Sequence, residues 1–135
     1  MAFQEEEDET VWESEKVIRI SAASEAVEAF RNLDLIFSMR LHGCIMATIT
    51  SVPWFGLLYD SKIEAFARKI HWEFYAEPSE MNREKLEKSI ESMMKKRSQL
   101  SAILYESACR LHSEALADIE RCVETIRASE TEVKF

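Results

Sequence analysis

Only two glycines and two prolines occur in 135 residues. That scarcity excludes a fold of many tight turns and requires long elements, chiefly helices. The sequence has no glycine-rich phosphate loop, no serine nucleophile elbow and no zinc signature. Cys44, Cys109 and Cys122 are an odd set without CxxC spacing, which excludes a disulfide framework and leaves buried, inert thiols as the expectation. No apolar run approaches the length of a bilayer span, and Met1-Ala2-Phe3-Gln4-Glu5 opens into acid rather than into an export signal. A cytoplasmic location is therefore expected. Positive charge is short as well: 17 Lys and Arg stand against 25 Asp and Glu, a net charge of −8. Nucleic acid backbones and anionic membrane surfaces need a positive field, so neither is expected as the main partner. An anionic ligand has to be caught locally.

What is present is a hydrophobic share of 47% beside 31% charged residues, the balance of a globular chain long enough for one core. Residues 5–15 are crowded with acid and read as a solvated loop or short helix. Lys16-Val17-Ile18-Arg19-Ile20 alternates like a strand. Ser24 is a candidate cap for an amphipathic helix from about Ala22 to Asn32, marked by Ala26, Val27 and Phe30. Leu33-Asp34-Leu35-Ile36-Phe37-Ser38 is the short apolar run of a strand buried on both faces. A helix from near Arg40 through Ile49 is apolar nearly all round and should be largely covered. Val52 to Leu58 gives the next strand, Asp60 or Ser61 caps a helix through Ile70, and His71 to Tyr75 forms one more short strand.

Strands alternating with single helices imply right-handed crossovers and a parallel sheet. The expected fold class is therefore α/β: a Rossmann-like half-domain over residues 1–78, followed by long C-terminal helices over 79–135. Helical periodicity runs without Gly or Pro from Glu80 onward, with Ser98 the expected break. The spacing from Leu104 to Ile126 suits packing on a sheet, on a partner helix or in a coiled coil. Met93, Met94 and the three tryptophans read as core or interface.

The chemistry-bearing residues cluster where strands hand over to helices, the place where parallel sheets hold ligands. Arg40 and His42 follow a buried strand and open a helix whose first amides lack intrahelical partners. A guanidinium beside such amides forms a cradle for phosphate or carboxylate, and an imidazole there serves as hydrogen-bond donor or general acid. The alternative is structural: Arg40 pairs with Asp34 or Asp60, and His42 only caps. Asp60 and Lys62, in Tyr59-Asp60-Ser61-Lys62, close the next strand on the same edge, with Asp60 either facing the crevice or capping its helix. His71 and His112 stand alone, and no metal site is indicated.

At these residues the chain resembles the polysaccharide pyruvyl transferase family. The likeness rests on Met39-Arg40-Leu41-His42 after Asp34-Leu35-Ile36, then Ala47, Val52-Pro53, and Tyr59-Asp60-Ser61-Lys62-Ile63 leading to Phe66. It covers about Met1 to Tyr75 at motif level and the tail to about Ile126 in general character. Ser61 stands where the family often has proline, and Thr50-Ser51 replaces a glycine-bearing turn before Val-Pro. The resemblance implies a second domain like that of two-Rossmann-domain glycosyltransferases, in enzymes of cell wall polysaccharide biosynthesis that move a pyruvyl group from phosphoenolpyruvate onto a saccharide acceptor as a ketal. It implies Arg40 and His42 as catalytic residues holding the donor, Leu41 as a backbone donor, and no cofactor; their place on the same sheet edge makes Asp60 and Lys62 the further substrate-binding candidates. It further implies that the chain begins partway through the second domain. The resulting expectation is inactivity alone, with a homo-oligomer or a missing N-terminal domain as partner. Two alternatives remain: a non-catalytic oligomeric module that keeps the fold, and a nucleotide-sugar glycosyltransferase half-domain, which would need a ribose-binding carboxylate that is not seen.

Overall fold

A computed structural model describes residues 19–132. Three strands, β1 (Ile36–Ser38), β2 (Trp54–Leu57) and β3 (Tyr75–Ala76), form a parallel sheet in the order β1-β2-β3. Helix α1 (Ala23–Arg31) precedes β1, α2 (Leu41–Ile49) joins β1 to β2, and α3 (Ser61–Lys69) joins β2 to β3. After a 3-10 turn at Pro78–Glu80 come α4 (Arg83–Lys95) and α5 (Arg97–Glu132). This is a small α/β, Rossmann-like half-domain with a long terminal helix.

The expected acidic segment and residues 16–18 of the first strand lie outside the described residues, and Arg19 and Ile20 belong to no regular element. Ser24 sits inside α1 and does not cap it. The N-cap residue is Ala22, without a side-chain cap, and Ser21 donates from its backbone N–H (3.0 Å) and its hydroxyl (3.1 Å) to the Glu25 carboxylate. Those two donors hold the Glu25 carboxyl below its usual range. The α4–α5 break falls at Lys96 rather than Ser98, because α4 ends there with its last amide turned back to Ser92.

Two helix endings aim the chain into the sheet. At the end of α2, Ser51 takes a left-handed backbone (φ 59°); its N–H bonds to Thr48 O and that of Val52 to Ala47 O (2.9 Å). At the end of α3, His71 (φ 56°) and Trp72 repeat the pattern onto Arg68 O and Ala67 O. Both are Schellman endings, and each drives the following residue, Val52 or Trp72, into the core. The expected strand from His71 therefore shrinks to Tyr75–Ala76: His71 is spent on the turn. A left-handed L-residue costs about 1–2 kcal/mol, partly offset by the extra freedom glycine has when unfolded. Ser51→Gly and His71→Gly should each raise stability by about 0.5–1 kcal/mol in urea unfolding, whereas the β-branched Ser51→Val should lower it.

The core centres on β2. Trp54 is fully buried and stacks on Trp72 (centroids 5.5 Å) and Phe66 (6.1 Å). Its indole N–H donates to Thr48 Oγ1 (3.0 Å), the Thr48 hydroxyl donates to Cys44 O (2.9 Å), and the Trp72 indole donates to Trp54 O (2.9 Å). This chain of bonds fastens α2 to β2 and leaves no buried polar side chain unpaired among the described residues. Trp12 lies outside those residues; Met93 is core, and Met94 is exposed.

Helix α2 is less covered than its composition suggests. Gly43, Cys44, Ala47 and Thr48 face inward, and Ile49 is 57% exposed. Cys44 is the one cysteine that meets the expectation of burial; Cys109 and Cys122 are exposed on α5. The first half of α5 buries Leu100, Leu104 and Ser107. An Arg97–Asp34 ion pair (2.8 Å) anchors its start, and an Arg110 guanidinium donating to Lys69 O (3.1 Å) ties it to the end of α3. No helix among the described residues is long and apolar enough to cross a membrane.

Candidate functional site

The parallel pairing brings the two sequence motifs to one edge. Ser38 is in register with Gly56, so the β1–α2 and β2–α3 turns leave the sheet side by side at its carboxyl rim. Arg40, two residues past Ser38, is the N-cap residue of α2; Asp60, four past Gly56, is the N-cap residue of α3. The three described strands follow one direction, so the reversal of strand order that opens a crevice in doubly wound sheets does not lie between them.

The two helix starts differ. The Asp60 carboxylate accepts from the Lys62 N–H (2.8 Å), so in this structure Asp60 caps its own helix, the structural alternative for that residue. Helix α2 has no side-chain cap: its N-cap residue is Arg40, whose side chain makes no capping bond, and no acidic residue occupies its first turn. The amides of Leu41, His42 and Gly43 precede the first intrahelical bond, which runs from Cys44 N to Arg40 O (3.3 Å). A helix start whose first amides have no intrahelical partner, with a positive dipole end and a cationic N-cap residue, suits an anion.

Arg40, His42, Asp60 and Lys62 are all exposed, and Leu41 is part-buried. Asp34, one of the two carboxylates considered as a structural partner for Arg40, sits at the other end of β1 and pairs with Arg97. His71 serves a helix ending, and His112 lies on α5. No cluster of three or more metal-ligating side chains occurs among the described residues.

Two residues that set this rim carried no role in the sequence reading. The Ser38 hydroxyl donates to Arg40 O (2.8 Å) and accepts from Arg40 N–H (3.1 Å), locking the turn that presents Arg40. Gly43 follows from Ser38, because a Cβ there would collide with the Ser38 side chain. The signal available in the sequence was rarity: with only two glycines, each one marks a close approach. Beneath the rim, burial pushes the Cys44 thiol up to about 12, against a smaller opposing effect of the Ser38 hydroxyl, so Cys44 is no nucleophile at neutral pH.

A groove of about 340 Å³ opens elsewhere, between α2, α3 and α5, lined by Ile45, Thr48, Ile49, Phe66, Ala108, Leu111 and His112. None of the rim residues lines it. It is apolar and belongs to helix packing rather than to an anion site.

Among curated proteins and among solved structures, nothing matches this chain. The family comparison does find a match, and it spans both the β1–α2 turn and the capped start of α3: residues 3–61 match the family model of polysaccharide pyruvyl transferase.

Proposed function

We propose that this chain forms the donor-holding part of a polysaccharide pyruvyl transferase. The observation that carries the reading is the uncapped start of α2, with exposed Arg40 at its N-cap, inside the segment that matches the family. Arg40 and the Leu41 and His42 amides take the phosphate or carboxylate of phosphoenolpyruvate, and Lys62 adds positive charge from the neighbouring helix. Asp60 acts through position, fixing the first turn of α3 that carries Lys62.

In the transfer, C3 of the enol gains a proton and C2 becomes cationic. Two sugar hydroxyl oxygens bond to C2, and the C2–O bond to phosphate breaks. One hydroxyl proton balances the proton gained at C3, and the other leaves with phosphate. Arg40 neutralises charge building on the departing phosphate, and the His42 imidazole protonates it.

The rim is open to solvent, and turnover needs a second wall that excludes water and holds the saccharide acceptor. The chain by itself therefore binds the donor without turning it over, and a partner domain or second polypeptide supplies that wall.

Calorimetric titration with phosphoenolpyruvate, and with inorganic phosphate for comparison, tests the donor reading. Loss of a charge-assisted contact is worth about 1.5–3 kcal/mol, so Arg40→Ala should weaken binding by roughly 10- to 100-fold. Arg40 is exposed, so the circular dichroism spectrum should not change. Absence of binding in the wild type would sink the donor role and leave the non-catalytic module as the better reading.

A further inference from the structure

Helix α5 has a second apolar face that its own body does not use. Leu100, Leu104 and Ser107 point inward, yet past Leu111 every described residue of the helix is exposed. At about 1.5 Å per residue, residues 112–132 project roughly 30 Å. Along that projection Leu116, Ile119, Val123 and Ile126 are 48%, 59%, 39% and 59% exposed. They recur at intervals of three, four and three, the a/d spacing of a heptad with Leu116 and Val123 at a and Ile119 and Ile126 at d. Continued towards the body, the same face carries Tyr105, Cys109 and His112, which are also exposed.

The geometry points to a second copy of this chain as the occupant: two α5 helices pair antiparallel, Leu116 of each against Ile119 of the other. This proposal is independent of the donor site. In that register Val123 meets His112 and Ile126 meets Cys109 of the second copy, so six layers form around a two-fold axis. Each projecting half then lies along the other copy's body-bound half, and Val123 reaches the mouth of the groove that His112 helps to line.

Charge selects the register. At the flanking e positions this alignment sets Glu106 against Arg127 of the second copy, twice, and Glu120 against the neutral Ser113. Sliding one heptad, so that Leu116 meets Ile126, removes both attractive pairs and sets Glu120 against its own counterpart. A parallel pair places His112 on His112, and its flanking contacts join Ala115 to Glu120 and Cys122 to Arg127, with no opposite charges. The area is also sufficient: the four stripe residues and Tyr105 offer roughly 500 Å² of apolar side chain per copy, near the apolar share of the ~800 Å² per partner that a specific interface buries.

Sedimentation of the full chain at micromolar concentrations should give a dimer. Ile119→Asp should give a monomer of unchanged sheet and core, since Ile119 is exposed and outside the hydrophobic core. Glu106→Arg and Arg127→Glu should each weaken the dimer roughly tenfold, and the double exchange should restore it. Mild oxidation of Ala115→Cys should join the introduced thiol to Cys122 of the other copy, because positions 115 and 122 face each other only in this antiparallel register. A monomeric wild type, as expected if a different protein covers the helix, would overturn the proposal. So would a dimer that survives Ile119→Asp, or one that gives no crosslink from Ala115→Cys.

Discussion

Replacing Trp54 with alanine should lower the unfolding free energy by about 3–5 kcal/mol, the range for deleting a large buried aromatic. The residue is fully buried, stacked on Trp72 and Phe66, and sits in the middle strand with α2 and α3 against it. The cavity has little chance to collapse, because its walls belong to three elements held by the Thr48–Cys44 and Trp72–Trp54 hydrogen bonds. Small domains have only about 5–15 kcal/mol in total, so this single change should bring the protein near its threshold. With m-values of about 1–3 kcal/mol/M, the urea midpoint should fall by about 1 M or more. The comparison must be made at one protomer concentration if the chain dimerises. Trp54→Phe separates the contributions: it keeps a stacked ring, loses the N–H to Thr48, and should cost much less. An alanine variant within 1 kcal/mol of wild type would show that β2 is not the keystone.

Gly56→Val should be the second most damaging change, at about 3 kcal/mol, for the opposite reason: there is no room. A Cβ at Gly56 would lie 2.8 Å from Ile63 Cγ2, 3.0 Å from Trp54 Cζ3 and 3.4 Å from Tyr75 Cβ. The neighbours are a helix side chain, the keystone indole and the adjacent strand, so relief requires α3 to lift from the sheet. That movement carries Asp60 and Lys62 with it, since both belong to the capped first turn of α3. Gly56→Ala should cost less, and combining it with Ile63→Leu, which removes the closest methyl, should be less harmful than the sum of the two. Strict additivity in urea unfolding would refute the steric account.

Much of this architecture was legible because local rules and the tertiary structure agree. The apolar run at Ile36, the strand entered from Pro53 and the Asp60 cap each have a short-range cause, and the alternation of strands with helices then requires a parallel sheet. The motif around Arg40 and His42 was legible as a strand-to-helix handover for the same reason. Local spacing did not reveal that Ser24 would fall inside α1 without capping it, or that Ser21 would reach Glu25 across the helix start. Nor did it reveal that His71 would adopt a left-handed turn, because that is dictated by the need to bury Trp72 immediately after α3.

By composition and order alone, this chain was bound to be a helix-rich α/β unit with Arg40, His42, Asp60 and Lys62 at strand-to-helix junctions. Periodicity and capping act over a few residues, so they are written locally. Tertiary structure alone decided that Asp34 pairs with Arg97, that Gly43 yields to Ser38, and that one face of α5 is left bare. Those outcomes depend on which surfaces approach one another through space, and no spacing along the chain encodes that distance.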